Sequence, residues 1–355
     1  FIFSAAERAA YDQIALDSLD IDFSLSVDLG GGRGPIPAVA HLRGNGSFWC
    51  DRKSYVLQLE GGSRSFFEES FSDEYVLLSM CLDEAYIEQH IANQLMTETG
   101  AFRLKNRYVE LALDGQTRGI YLLIEKTREE LVRDQTRVRS VLRRGYWEYV
   151  PKWSYDDDLD RATEAALAIT ANLDGLEGTE LQETVDSRVD LEAYLRWLAL
   201  NALIQNGDYV DEAWFMSAES LLPNGEIGEY FETMAWDADD ILVDCHAGGV
   251  NAWVDPYEIA YCAEDALDFT LLEDPETYER FVDTLDRLML DEIPPSRFDD
   301  AVNEAGLAIE PFFNRPGVAA AMTELGEANP MAAKQAVLAH MQSMRDDFAA
   351  RHALL

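Results

Sequence analysis

Basic residues are scarce in this chain: 28 lysines and arginines stand against 67 aspartates and glutamates, a formal charge of −39 over 355 residues. A deficit of that size opposes attraction to nucleic-acid phosphates or anionic lipid, so neither is an expected partner. Long apolar runs are missing as well. No stretch approaches the roughly 20 residues that a membrane-spanning helix requires, and the N-terminus shows no basic segment followed by an apolar one. Membrane insertion is therefore not expected. The acids are spread along the chain rather than gathered in a tail, a composition that suits high salt, where mobile ions screen self-repulsion. A melting temperature that stays flat as salt is raised would remove that idea.

Cysteine is sparse and lacks C-x-x-C spacing, which argues against a zinc site. Cys50, Cys81, Cys245 and Cys262 leave three two-bridge pairings open. Two disulfides in an exported protein and four buried thiols are both compatible with the spacing, with export favoured. There is no internal repeat. The acid run Asp156–Asp160 lacks the glycine and closing glutamate of a calcium loop and reads as a solvated loop. What remains is ample for a folded core: 48% hydrophobic residues, with seven Trp and sixteen Phe.

The first third reads as strands around one helix. "FSLSVDL", "PAVAHLRG" and "KSYVLQLE" alternate apolar and polar residues. "YVELAL" and "IYLLIE", joined at "DGQTRG", form the clearest hairpin signal, because D-G between alternating runs favours a tight turn. Between them "DEAYIEQHIANQLMTETG" has helical spacing and a closing Gly100. Beyond Glu125 helical periodicity dominates, in "RATEAALAITANL", "DLEAYLRWLALNALIQNGD", "PETYERFVDTLDRLML" and the C-terminal stretch. Two short strands, "EAWFMSAE" and "GEYFETMAWDAD", are expected among them. The expected fold is α+β and two-lobed, with a strand-rich N-lobe at 1–125 and a helix-rich C-lobe at 126–355.

That order suggests phosphoryl transfer, whose chemistry needs a cation for phosphates, an acidic partner for the cation, carboxylate oxygen for magnesium and a carboxylate for the acceptor. Lys53, one of five lysines, opens a strand and is the candidate cation. Glu88, near the start of the embedded helix, is its candidate partner. Asp208, in a loop directly after a long apolar helix, is the candidate base. Asp237 and Asp239 in "MAWDADD" are expected to point the same way at a strand end, where two carboxylates repel unless a cation lies between them. His90 and His246 lack metal-ligand spacing and read as structural. The ordinary kinase signatures, G-x-G-x-x-G-x-V, H-R-D and D-F-G, are all absent.

Taken in order, "LRGNGS…RKSYVLQLE", "YVLLSMCLDEAYIEQHIANQLMTETG", "RYVELALDGQTRGIYLLIEK", "ALIQNGDYVDEAWF" and "MAWDADD" resemble the CotH family of atypical protein kinases over about residues 36–245. The family pattern runs from R-G-N-x-S and K-K-S-Y, through a helix segment and a hairpin closing on Glu, to an N-x-D loop and a P-W-D-x-D strand end. The resemblance implies a protein-kinase-like fold, ATP with Mg2+, and transfer of the γ-phosphoryl group to Ser or Thr of a protein, at a spore surface, the cell envelope or outside the cell. It implies Asp208 as catalytic aspartate and Asp237 as metal ligand, with Asp239 beside it. It also implies Lys53, Arg43 and Ser47 at the nucleotide phosphates, and Glu125 near adenine. Three departures stand out: Glu88-Gln89 replaces an Arg-Asn pair, Ala235 replaces proline, and Asp211 or Glu212 takes the place of metal-binding asparagines. These departures keep two other readings open, a kinase-fold enzyme that transfers AMP or glutamate and an inactive coat or envelope scaffold. The sequence names neither the protein substrate nor an oligomeric interface.

Overall fold

The computed structural model describes the chain apart from residues 15–20, 29–33, 45, 61–65, 68–71, 84, 101–104, 127–137, 146–148, 157, 210–212, 222–226, 237, 246–258, 264, 323–324 and 327–328. It is mixed α+β, built as two compact units. The first unit comprises Phe1–His90, Leu104–Leu131 and Val302–Gln342; the second comprises Ile91–Arg103, Val132–Ala301 and Ser343–Leu355. A late stretch of the chain, Val302–Gln342, belongs to the first unit.

The first unit begins with helix α1 (Ala5–Ile14) and the strands β1 (Phe23–Val27), β2 (Ile36–Arg43), β3 (Ser54–Leu59) and β4 (Glu74–Leu78). After helix α2 (Glu88–Glu98), which starts in this unit, come β5 (Asn106–Leu113) and β6 (Gln116–Glu125). The strands form one antiparallel sheet in the order β1-β2-β3-β4-β6-β5. Alternation sorts their side chains onto two faces. Leu25, Ala40, Leu42, Tyr55, Leu57, Leu59, Tyr75, Leu77, Tyr121 and Leu123 pack with Tyr11 of α1 in one core. The β5–β6 hairpin forms as the D-G signal predicts: Asp114 and Gly115 both take positive φ, 49° and 80°, and Leu113 pairs with Gln116. Such a turn matches the twist of the flanking strands.

In the second unit β7 (Val138–Arg144), β8 (Tyr149–Ser154), β9 (Ala213–Leu221) and β10 (Ile227–Ala235) make an antiparallel sheet in the order β10-β9-β7-β8. Helices α3 (Leu159–Thr170), α4 (Gly178–Asp186), α5 (Leu191–Leu203), α6 (Ala266–Glu273) and α7 (Pro275–Arg287) accompany it. Helix α5 is apolar on nearly every side, with Leu191, Tyr194, Leu195, Trp197, Leu198, Leu200 and Leu203 all buried, as befits a central helix. Three further helices, α8 (Pro295–Phe313), α9 (Val318–Ala321) and α10 (Pro330–Leu354), complete the chain.

The strands and helices expected from periodicity are present. Helices α1 and α4 and strands β4, β7 and β8 were not expected. β4 is buried on both faces, so it carries no alternation, and β7 and β8 are interrupted by a register shift at Val141/Leu142. The acid run is not simply a solvated loop. Asp158 caps α3, its carboxylate accepting the Arg161 N–H at 3.0 Å, and Asp156 binds the Arg161 guanidinium and the Ser154 hydroxyl.

Candidate functional site

The R-G-N-x-S segment turns sharply after β2. Gly44 sits at φ 109°, a backbone conformation that side chains rarely adopt, and a Cβ there would lie 2.1 Å from Ser47 Oγ, so any substitution is strained. Ser47 then lies in the 3-10 turn Gly46–Trp49, half-buried, with its carbonyl accepting the Cys50 N–H at 3.2 Å. The Cys50–Cys81 disulfide fixes this turn to the segment that follows β4. Of the pairings the sequence left open, the structure holds Cys50–Cys81 and Cys245–Cys262.

Lys53 and Arg43 are not brought together. Arg43 pairs in register with Ser54, on the face opposite the α1 core. Lys53, one residue before Ser54, shares a cavity with Tyr11 and Tyr55 under α1. Its Nζ donates to the Phe48 carbonyl at 2.5 Å and lies 4.9 Å from the Phe48 ring centre. The expected Lys53–Glu88 ion pair does not form. Glu88 is buried instead and accepts from, or donates to, His340 of α10 at 2.7 Å. A neighbouring carboxylate, Asp83, caps the start of α2 by accepting the Ala85 and Glu88 N–H groups at 3.1 and 2.7 Å. Burial, then the adjacent Glu88, pushes the Asp83 carboxyl far above the ordinary range. Glu88 therefore faces an acid and a histidine.

The residue that sequence reasoning passed over is Arg52. It is 4% exposed, and its guanidinium donates to the carbonyls of Ser79, Ile120 and Arg118 and to the Met322 sulfur, between the rings of Tyr86 and Tyr121. The signal was present: Arg52 fills the first basic position of the K-K-S-Y pattern. Glu125 closes β6 and is buried, at the end of the strands remote from Arg43, where Tyr75 of β4 is its register partner. His90 is structural as expected, bonded to Asn106 at 2.5 Å and tilted against Tyr108. His246 lies outside the described residues.

In the second unit the loop after α5 carries Asp208. Gln205 adopts φ 53°, which ends the helical run and turns the chain. Asn201 and Asn206 then build the loop from inside: Asn201 Nδ2 donates to the Trp197 carbonyl at 2.9 Å, Asn206 Nδ2 donates to Asn201 Oδ1 at 3.0 Å, and Asn206 Oδ1 accepts the Asp208 N–H at 3.2 Å. Both asparagines are fully buried, so these bonds carry the weight that solvated ones lack. The Gly207 N–H donates to the Asp240 carbonyl at 2.8 Å. That bond sets the Asp208 loop beside the carboxylate run Asp239–Asp240, where both acids are half-buried, as is Asp208. The Cys245–Cys262 disulfide closes over the same loop, with the Cys262 sulfur 3.3 Å from the Gly207 carbonyl oxygen.

Gly207 is where this arrangement is most exposed to substitution. A Cβ would lie 2.5 Å from the Asp244 carbonyl oxygen and 2.8 Å from Val243, and the first of these is backbone that cannot turn away. Gly207→Ala should therefore destabilise the protein by about 1–3 kcal/mol, read as a lower urea midpoint at unchanged slope. An unchanged midpoint would mean that the two segments are not in contact.

Asp237 and Asp211 lie outside the described residues. Trp236 and Ala238, on either side of Asp237, are buried, and Asp239 is half-exposed. Among the described residues no group of three or more His, Cys, Asp or Glu side chains stands close enough to hold a metal ion. The donor chemistry still suits magnesium, a hard cation that takes carboxylate oxygen from one or two side chains and keeps water in its remaining positions. Nor is any helix among the described residues long and apolar enough to cross a membrane.

Among curated proteins nothing matches the chain significantly. The family model described as CotH kinase protein, by contrast, matches residues 40–337, a span that holds the tight turn at Gly44, the Asp208 loop and the Asp239–Asp240 run alike, and the chain belongs to that family.

Proposed function

We propose that this protein is a magnesium-dependent protein kinase of the CotH type, which transfers the γ-phosphoryl group of ATP to a Ser or Thr hydroxyl of another protein. Family membership supports kinase-like transfer in general. The observation that carries the finer reading is the Gly207–Asp240 backbone bond, which joins the loop of the candidate base to the run of candidate metal ligands.

Asp208 accepts the proton of the acceptor hydroxyl as its oxygen attacks the γ-phosphorus, and ADP departs. Asp239, with Asp237 and Asp211, is assigned to Mg2+, which when bound neutralises charge on the phosphate oxygens. Arg43 and Ser47 are assigned to the nucleotide phosphates. Glu125, at the other end of the strands, marks the adenine end. Lys53 is left out of this set, because strand alternation sets it opposite Arg43. Both disulfides fit an oxidising compartment, outside the cell or at a coat surface.

The test is transfer from γ-labelled ATP to protein substrate by the wild type and by Asp208→Asn, with the product identified by mass. A gain of phosphate that needs both Mg2+ and Asp208 is the expected result. A gain of AMP or glutamate, or equal labelling by the variant, would overturn the reading. So would the absence of any ATP-induced rise in melting temperature, since a ligand that binds only the native state must raise it.

A further inference from the structure

The cavity beneath α1 gathers cations that the proposed transfer does not use. It encloses about 390 Å³ and, among the described residues, is lined by Arg8, Arg52, Lys53 and Arg118, by Tyr11, Tyr55 and Tyr121, and by two acids, Asp12 and Asp51. In a chain with 39 more acids than bases, such a concentration of positive charge runs against composition.

Two of the four cations are already occupied. Arg8 is neutralised by Asp12 at 2.9 Å and Asp114 at 3.1 Å, and Arg52 is held by backbone carbonyls. The other two are not neutralised. Among the described residues Lys53 touches a carbonyl and a ring but no carboxylate, and the exposed Arg118 guanidinium makes no hydrogen bond or ion pair. In the same cavity the Tyr11 and Tyr55 hydroxyls bond to each other at 2.8 Å. One donates to the other, which leaves one phenolic proton for a third group. Burial raises the Tyr55 hydroxyl well above its usual range, so the pair stays neutral and able to donate.

We propose that this cavity is an oxyanion site, separate from the nucleotide-binding face, that takes a phosphate group, free or carried as a monoester, on Lys53 and Arg118. Arginine's planar fork matches phosphate oxygens in pairs, lysine supplies a point charge, and a phenol supplies a third donor. A volume of about 390 Å³ falls in the range of small-molecule sites and exceeds what a bare phosphate ion fills. It leaves room for the group that carries the ester. Two sources share this chemistry, inorganic phosphate and a phosphorylated side chain. The site stands on its own charges and does not depend on the transfer reaction.

The test is calorimetric titration of the full chain, without nucleotide, with inorganic phosphate, a phosphoserine peptide and its unphosphorylated counterpart. Saturable binding of phosphate or of the phosphopeptide, weakened at least about tenfold in Arg118→Ala and in Lys53→Met, is the expected result. A tighter phosphopeptide identifies the side chain as the source, whereas equal affinities identify the free ion. Arg118 is exposed, so its variant keeps the native melting temperature and a loss of binding is not a loss of fold. Three outcomes would overturn the proposal: no saturable binding by the wild type, equal affinities for the wild type and Arg118→Ala, or displacement of bound phosphate by saturating Mg-ATP. The last would identify the cavity as the nucleotide's own site. Failure of Asp208→Asn to affect transfer would leave this binding untouched, so the two readings fall separately.

Discussion

Asp208→Asn should lower phosphoryl transfer by about 10²–10⁴-fold, the usual contribution of a positioned general base. Asparagine keeps the shape of the side chain but cannot take the proton. The loop's form comes from the Asp208 N–H bond to Asn206, the Gly207 bond to Asp240 and the buried Asn201–Asn206 contact, and the substitution deletes none of these. The loss should therefore fall on kcat, with KM for ATP and the melting temperature nearly unchanged. A rise in KM at constant kcat would move Asp208 from the reacting atoms to substrate binding. Full retention of activity would remove it from the mechanism.

The second large effect concerns stability. Arg144 ends β7 and is completely buried in the second unit, where its guanidinium donates to Tyr194 at 2.6 Å and to Asp268 at 3.1 Å, with the Trp197 ring 5.1 Å away. Tyr194 also donates to the same Asp268 oxygen, and Asp265 lies 3.8 Å from the guanidinium. Asp268 is as buried as the arginine and belongs to the capping box that starts α6. Arg144→Met would leave a buried carboxylate without its counter-charge, a change that costs about 3–5 kcal/mol in comparable pairs. Chemical denaturation of both proteins measures it. Adding Asp268→Asn to the variant should recover part of the loss, because the uncompensated charge is then gone.

The pH dependence of that variant follows from the same pair. Burial raises the Asp268 carboxyl above its ordinary value, while Arg144 acts to lower it. Without the arginine the native state holds the Asp268 proton to still higher pH than the unfolded chain does. Stability then falls as pH rises above the ordinary carboxylate value of about 4, and recovers in acid. Arg144→Met should accordingly lie closest to the wild type at low pH. A deficit independent of pH would assign the cost to packing alone.

How much of this was legible beforehand depended on range. The β5–β6 hairpin was legible because a D-G turn needs only its own two residues and the alternation beside them. The Asp208 loop was also legible, as a break after an apolar helix. Strand β4 was not, because burial on both faces erases the period that marks a strand. The expected Lys53–Glu88 pair failed for a different reason. Spacing along the chain says nothing about which face of β3 a residue at the strand's threshold takes, and one position of register reverses it. Arg52 went unnoticed because arginine is usually a surface residue, and only carbonyls from two separate segments, at Ser79 and along β6, make its burial tolerable.

The sequence by itself determined the family, the mixed α+β class, the positions of the hairpin and of the Asp208 loop, and the acidity that turns away polyanions. Each of these is local in the chain or a sum over it. Tertiary structure alone decided the disulfide pairing, the partner of Glu88, the face to which Lys53 belongs, and the contact of Gly207 with Asp240. These depend on residues far apart in the chain meeting across a sheet or around a buried helix. That meeting is selected by the packing of the whole core, and no short stretch of residues encodes it.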